Sequence, residues 1–116
     1  MKFHKFKFKR VNSTNNTAIR IIKNSNFNQG MVISEFQKNG KGQYGRKWIS
    51  FKGNVFVSFF YDLKNINLST KKLTNLNCKL VKKLLSKYYK NKIVIKAPND
   101  LLIKGKKISG ILQEII

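Results

Sequence analysis

Phenylalanine and lysine alternate at the start of the chain. Over Lys2–Val11, Phe3, Phe6 and Phe8 are set against Lys5, Lys7 and Lys9. A period of two predicts a strand with one wet face. Ser13 or Thr14 can then cap a helix, and Ala18, Ile19 and Ile22 recur at helical spacing, which predicts a short helix over about Asn15–Lys23 and a polar turn over Asn24–Gly30. Met31–Phe36 reads as a strand. Lys38–Gly53 holds four of the seven glycines with little periodicity and reads as a loop. Asn54–Leu63 is rich in β-branched and aromatic residues and reads as an interior strand.

Beyond it, Leu73, Leu76, Leu80, Leu84 and Tyr88 fall at spacings of three and four, with Ser69 or Thr70 as N-cap. This predicts a helix from about 70 to 90 whose leucine stripe packs on a sheet. Ile93–Lys96, Leu101–Ile103 and Lys107–Ile116 read as strands, with Gly105 in the turn between the last two. The order β-α-β-β-α-β-β-β predicts an α+β fold, a mixed sheet with helices packed on one face. The run Ile111–Ile116 carries no stop or turn chemistry, so the expectation is an incomplete module with an unpaired sheet edge, open to homodimer formation or aggregation.

Composition narrows the class. The chain has 116 residues, 41% hydrophobic and 12% aromatic, enough for one globular domain over residues 1–116. It carries 25 Lys plus Arg against 4 Asp plus Glu, a net charge of +21. Such a surplus suggests a polyanionic partner. Yet 22 of the cations are Lys and 3 are Arg, spread from Lys2 to Lys107, whereas Arg is preferred for reading bases. Together with 14 Asn this reads as compositional drift, so no specific nucleic-acid partner is expected. Cys78 is the only cysteine, which fits a reducing cytoplasm and a small buried hydrophobe. No segment has the length or hydrophobicity of a signal peptide or a membrane span.

Two segments carry candidate chemistry. Gln37–Trp48 leaves a strand with three glycines, four cations and an indole. Glycines let backbone N–H groups approach an anion closely, and the cations neutralise phosphate. The spacing is neither a phosphate loop ending in Gly-Lys-Ser/Thr nor a dinucleotide fingerprint, and a flexible basic surface loop is the bland alternative. In Lys96–Leu112, Pro98 fixes the backbone before Asn99 and Asp100. Asp100 can serve as a counter-ion, hold Mg2+, or cap a hairpin through an Asx turn.

Taken together, the motifs resemble the catalytic domain of biotin–protein ligases from about Ser13 to Glu114. Ser13-Thr14-Asn15 opens the first helix. Gln37 precedes a loop similar to the family's Gly-Arg-Gly-Arg-x-Gly-Arg-x-Trp-x-Ser. Gly53–Ser58 is similar to its Gly-x-Asn-Leu-Tyr-x-Ser strand, and Lys96–Leu112 to its Lys-Trp-Pro-Asn-Asp-Leu…Lys-Lys-x-x-Gly-Ile-Leu.

The resemblance implies a fold like class II aminoacyl-tRNA synthetases and a two-step reaction. Biotin and ATP with Mg2+ give biotinyl-adenylate, and the acyl group passes to a lysine of a biotin carboxyl carrier protein of the acetyl-CoA carboxylase type. It also implies roles. Ser13, Thr14 and Gln37 hold the biotin ring system, with Asn15 orienting it. Gly40, Lys41, Gly42 and Gln43 contact biotin and adenylate. Lys107 reaches the biotin carboxylate and adenylate phosphate, and Gly110 gives the ligand room. Lys107, Lys41 and Gln43 are thus the catalytic set, while Arg46, Trp48 and Asn99 join Lys41, Gly42, Gln43 and Lys107 around the adenylate. Asp100 is implied as an Mg2+ ligand or the carboxylate that organises the network.

The chain departs from the family at Lys41 and Gln43, which replace arginines, and at Ala97, which replaces tryptophan. Lys keeps the charge without the planar fork, and Gln loses it, so leakage of activated biotin is expected. No DNA-binding helix-turn-helix is expected ahead of the first strand. Two other readings are a lipoate–protein ligase and a non-enzymatic nucleic-acid module, the latter predicting binding that survives ~200 mM salt.

Overall fold

The computed structural model describes residues 3–116; Lys2, where the first predicted strand opens, lies outside the described residues. Contacts gather into two compact units, Met1–Asn65 with Ile116, and Ile66–Ile115. The architecture is α+β.

In the first unit, β1 (His4–Val11) pairs in parallel with β2 (Gly30–Gln37). The parallel pair is joined by the crossover helix α1 (Thr14–Asn24). Ser13 is its N-cap, its hydroxyl accepting from the Asn16 N–H at 3.0 Å, which satisfies one of the orphan donors of the first turn. β5 (Phe56–Phe60) pairs antiparallel with β2, giving a mixed sheet in the order β1-β2-β5. Ala18, Val32 and Phe60 are buried, and Phe6, Phe8, Ile21 and Ile22 pack on them.

Three expectations are corrected in this unit. The predicted loop Lys38–Gly53 contains a short ladder, β3 (Gly40–Lys41) against β4 (Lys47–Trp48). The predicted interior strand is shorter and, among the described residues, lies at the sheet edge. Its Phe56, Ser58 and Phe60 are buried while Val57 and Phe59 are exposed, because a single helix covers only one face. The one predicted sheet is divided among three, since β3–β4 and the strands of the second unit form ladders of their own.

The second unit packs α2 (Thr70–Leu85) on β6 (Val94–Lys96), β7 (Asp100–Ile103) and β8 (Lys106–Gly110), an antiparallel sheet in that order. Ser69 caps α2 through its hydroxyl and the Lys72 N–H. The helix ends at Leu85 rather than near 90. Ser86 donates its hydroxyl to the Lys82 carbonyl, and Tyr88 lies beyond the last turn, 80% exposed.

The buried face of α2 also differs from the predicted stripe. Leu73 is buried, but Leu76, Leu80 and Leu84 are 42%, 56% and 53% exposed. The face that enters the core runs through Cys78, with Val81 and Leu85 packed beside it, against Ile93, Leu101 and Ile103. A short side chain at position 78 lets the helix approach the sheet closely, so the helix turns that flank inward. Cys78 is the small core hydrophobe expected. Burial first, then the nearby Asp100 carboxylate, pushes its thiol up from the ordinary 9.0, so it stays protonated.

Lys104 and Gly105 join β7 to β8 with φ of 52° and 76°. A two-residue hairpin loop with both φ values positive follows the twist of the strands, and glycine takes the second position without strain. The predicted strand Lys107–Ile116 stops at Gly110. Among the described residues no helix is long and apolar enough to cross a membrane.

Candidate functional site

The start of α1, the end of β2 and the middle of β5 meet in a buried, uncharged hydrogen-bond network. The Thr14 N–H and hydroxyl both donate to Gln37 Oε1, at 2.8 and 3.1 Å. The Ser58 hydroxyl donates to Thr14 Oγ1 at 2.7 Å and also contacts Asn15 Oδ1. One hydroxyl proton cannot serve both acceptors, and turning the Asn15 amide so that its nitrogen donates to Ser58 satisfies the whole set. Thr17 donates its hydroxyl to the Ser13 carbonyl at 3.0 Å. Ser13, Thr14, Gln37 and Ser58 are all buried, and no buried side-chain polar atom among the described residues lacks a partner. A network this complete fixes rotamers before any ligand arrives.

The glycine-rich loop closes over Gln37. Ser50 brackets the Gln37 backbone, accepting from its N–H at 3.1 Å and donating to its carbonyl at 2.9 Å. A Cβ on Gly40 would lie 2.7 Å from the Trp48 carbonyl and 2.8 Å from Gln37 Nε2, so only glycine fits there. Gly42 is different, since a Cβ there would meet nothing closer than 3.8 Å. The fold does not demand a glycine at that position, which leaves free space beside the ring of Trp48. Tyr44 sits at the loop tip, 95% exposed with φ of 58°, a left-handed conformation that costs a residue with a Cβ about 1–2 kcal/mol. Lys41 and Gln43 are half-buried and Arg46 is exposed.

In the second unit Lys107 Nζ lies 3.1 Å from Asp100 Oδ1, their side chains 44% and 22% exposed. A β-bulge lies beside this pair. Leu101 is paired with Ser109 but Leu102 with Lys107, so Ile108 is the extra residue. The two-residue hairpin puts Lys106 opposite Ile103 and Lys107 opposite Leu102, on the face shared with Asp100. The bulge acts beyond that point, setting Ser109 rather than Ile108 opposite Leu101 and Gly110 opposite Asp100. Asn99 exchanges two bonds with Ile111. Its side-chain amide donates to the Ile111 carbonyl at 2.9 Å, and the Ile111 N–H donates to the Asn99 carbonyl at 3.0 Å. Asn99 therefore ties the segment after Gly110 beside the ion pair. Among the described residues no group of three or more His, Cys, Asp or Glu is gathered.

Within the first unit the structure thus brings together Ser13, Thr14, Asn15, Gln37 and Gly40. Within the second it joins Asp100 to Lys107. Sequence reasoning did not single out Ser50 and Ser58, although each closes a quoted motif. Their signal was a lone serine beside or within an apolar and aromatic stretch.

A model of the biotin/lipoate A/B protein ligase family matches residues 7–116. The bifunctional ligase/repressor BirA of Escherichia coli is 34% identical over 84 residues, covering 72% of this chain and 26% of that protein. BirA of Bacillus subtilis is 33% identical over 106 residues, covering 90% and 33%. Among solved structures, the biotin protein ligase of Aquifex aeolicus in complex with biotin and ATP has a TM-score of 0.85 at 27% identity, covering 99% of this chain and 47% of that one. The biotin acetyl coenzyme A carboxylase synthetase of Helicobacter pylori shares the fold, with a TM-score of 0.84 at 22% identity over 99% and 56%. The chain therefore spans a quarter to a third of these curated relatives and about half of the solved ones.

Proposed function

Because this chain belongs to the biotin/lipoate A/B protein ligase family, we propose that it activates biotin with ATP and transfers it to a lysine of a biotin carboxyl carrier protein, of the acetyl-CoA carboxylase type. The observation that carries this reading is the buried neutral cradle of Ser13, Thr14, Gln37 and Ser58 under Gly40. The ring system of biotin contains a cyclic urea, which presents one carbonyl and two N–H groups and no charge. A buried set of neutral groups whose rotamers are already fixed can present its remaining lone pairs and N–H groups to such a ring without an ordering cost.

In the first step an oxygen of the biotin carboxylate attacks the α-phosphorus of ATP, and pyrophosphate leaves with the electron pair of the broken P–O bond. In the second the carrier amine attacks the acyl carbon, AMP leaves, and the nitrogen loses a proton. Both reactants of the first step are anions, so a positioned cation lowers the barrier. Lys107 takes that role on the carboxylate and the adenylate phosphate, and Asp100 positions its ammonium. Gly110 gives the ligand room. Lys41, Gly42 and Gln43 contact the activated acid, while Arg46, Trp48 and Asn99 border the adenylate. Magnesium would travel on the phosphates of ATP. One carboxylate such as Asp100 fits a shell otherwise made of phosphate oxygen and water, and the ion neutralises phosphate charge. A closed Gly40–Trp48 loop would keep water from the mixed anhydride. A cytoplasmic location agrees with the lone thiol of Cys78 and the need for ATP, and the open edges of β1 and β5 are the surfaces through which a homodimer would pair.

The test is biotin-dependent exchange of labelled pyrophosphate into ATP, followed by incorporation of labelled biotin into a carrier domain. Exchange with biotin and none with lipoate is the expected result. Exchange with lipoate alone would move the chain to the lipoate branch of the family, and exchange with neither would refute the proposal.

A further inference from the structure

Two of the three arginines of the chain, Arg10 and Arg20, line one cavity of 160 Å3 between β1 and α1. Both side chains are exposed at the rim of the groove, but Arg10 stands where the pattern calls for an apolar residue. Alternation along β1 puts Arg10 on the face of Phe6 and Phe8, the face packed on α1. The Arg10 guanidinium is held there by the Phe36 ring, 4.9 Å from its centroid. Asn16, Arg20 and Asn24 fall one turn apart on α1, and the groove follows that row.

No carboxylate lines the cavity, and neither arginine is in an ion pair among the described residues. Two arginines that line one cavity repel each other, and an oxyanion between them reverses the sign of that interaction. Arg20 also borders a second cavity of 320 Å3, further along the helix, walled by Phe6, Ile21 and Phe27. The Phe27 ring meets Phe6 edge-on, centroids 5.4 Å apart, and lies 4.2 Å from His4. The groove is therefore cationic at the Arg10 end and apolar at the Phe27 end. It contains none of the residues assigned above to biotin or adenylate.

We propose that this groove binds a small organic oxyanion, with a phosphate monoester or carboxylate head between Arg10 and Arg20 and an aryl or alkyl group against Phe6, Ile21 and Phe27. The planar fork of Arg matches either head group in a way that the abundant lysines do not. At 160 Å3 the cationic end has room for a single phosphate or carboxylate head.

The test titrates the full chain, labelled with 15N, in three arms: phenyl phosphate, 3-phenylpropionate and inorganic phosphate. The Arg10 and Arg20 Nε–H resonances should move saturably with phenyl phosphate or with 3-phenylpropionate, and the arm that saturates identifies the head group. Arg10→Gln, Arg20→Gln and Arg20→Lys should each weaken that binding roughly tenfold or more, with the amide resonances of Ser13 and Thr17 reporting an intact fold. Lys87→Gln, outside the groove, should leave it unchanged. Shifts that never saturate, or an equal loss in Lys87→Gln, would reduce the groove to general attraction by a chain of charge +21. Undiminished binding by Arg20→Lys would overturn the fork, and inorganic phosphate binding as tightly as phenyl phosphate would overturn the apolar end.

Discussion

The two halves of the candidate machinery are built on opposite principles. In the first unit Thr14, Gln37 and Ser58 form a buried, neutral network in which every buried polar atom is satisfied. In the second, Lys107 and Asp100 form a half-exposed ion pair on a bulged strand. The difference fits the roles proposed for the two groups. A neutral ring is recognised by fixed donors and acceptors, and fixing them requires burial and full satisfaction. A cation that meets an anionic reactant must give up its resting partner, and a pair in partial contact with water releases it at little cost, since exposed ion pairs contribute about 0–1 kcal/mol. Lesions in the first unit should therefore cost stability and affinity together, whereas lesions at the pair should cost activity alone.

The largest effect is expected at Lys107. Lys107→Ala should lower biotin-dependent pyrophosphate exchange by about 10²–10³-fold and leave the urea midpoint nearly unchanged. A large fall in the midpoint would break the contrast, because the pair would then be structural. Gly40→Ala comes next. Its methyl would press on the Trp48 carbonyl and Gln37 Nε2, so a loss of about 1–3 kcal/mol in urea unfolding is expected, accompanied by weaker biotin binding in calorimetry. Unfolding at the wild-type midpoint with full affinity would show that the loop backs away freely.

Thr14→Val removes the hydroxyl that links Ser58 to Gln37 while keeping the shape of the side chain. About 1–3 kcal/mol of stability should go with it, and biotin affinity should fall in parallel across a series that includes Ser58→Ala. Affinity lost without stability would mean that the network forms only around ligand. The smallest effect is expected from deleting Ile108. The deletion makes the β7–β8 ladder regular and still leaves Lys107 opposite Leu102, so exchange should stay within about tenfold of the intact chain, well above Lys107→Ala. Collapse to the Lys107→Ala level would show that the placement of Ser109 and Gly110 beyond the bulge matters to the reaction.

Much of the element plan was legible because it is local. Alternation marked β1, Ser13 and Ser69 marked the helix starts, and Gly105 marked a hairpin; each reflects a preference of a few neighbouring residues. The motif around Gln37 and the one ending at Gly110 were legible as a family resemblance, which the match over residues 7–116 supports.

Three things were decided elsewhere in the molecule. Periodicity in α2 offered two overlapping faces. The flank carrying the short side chain of Cys78 was buried against Ile93 and Leu101, while Leu76, Leu80 and Leu84 stayed exposed, because closeness of approach to a partner sheet is not a property of the helix alone. Ser58 is separated from Thr14 by 44 positions, and no window of local sequence shows that a strand hydroxyl will complete a helix N-terminus. The bulge at Ile108 turns on the register of one strand against another, and a shift of one residue reverses every face beyond it. The sequence by itself determined most of the helices and strands and the family resemblance; the tertiary structure decided where several of them end, which faces are buried and that Lys107 faces Asp100, since burial and register are properties of pairs of elements.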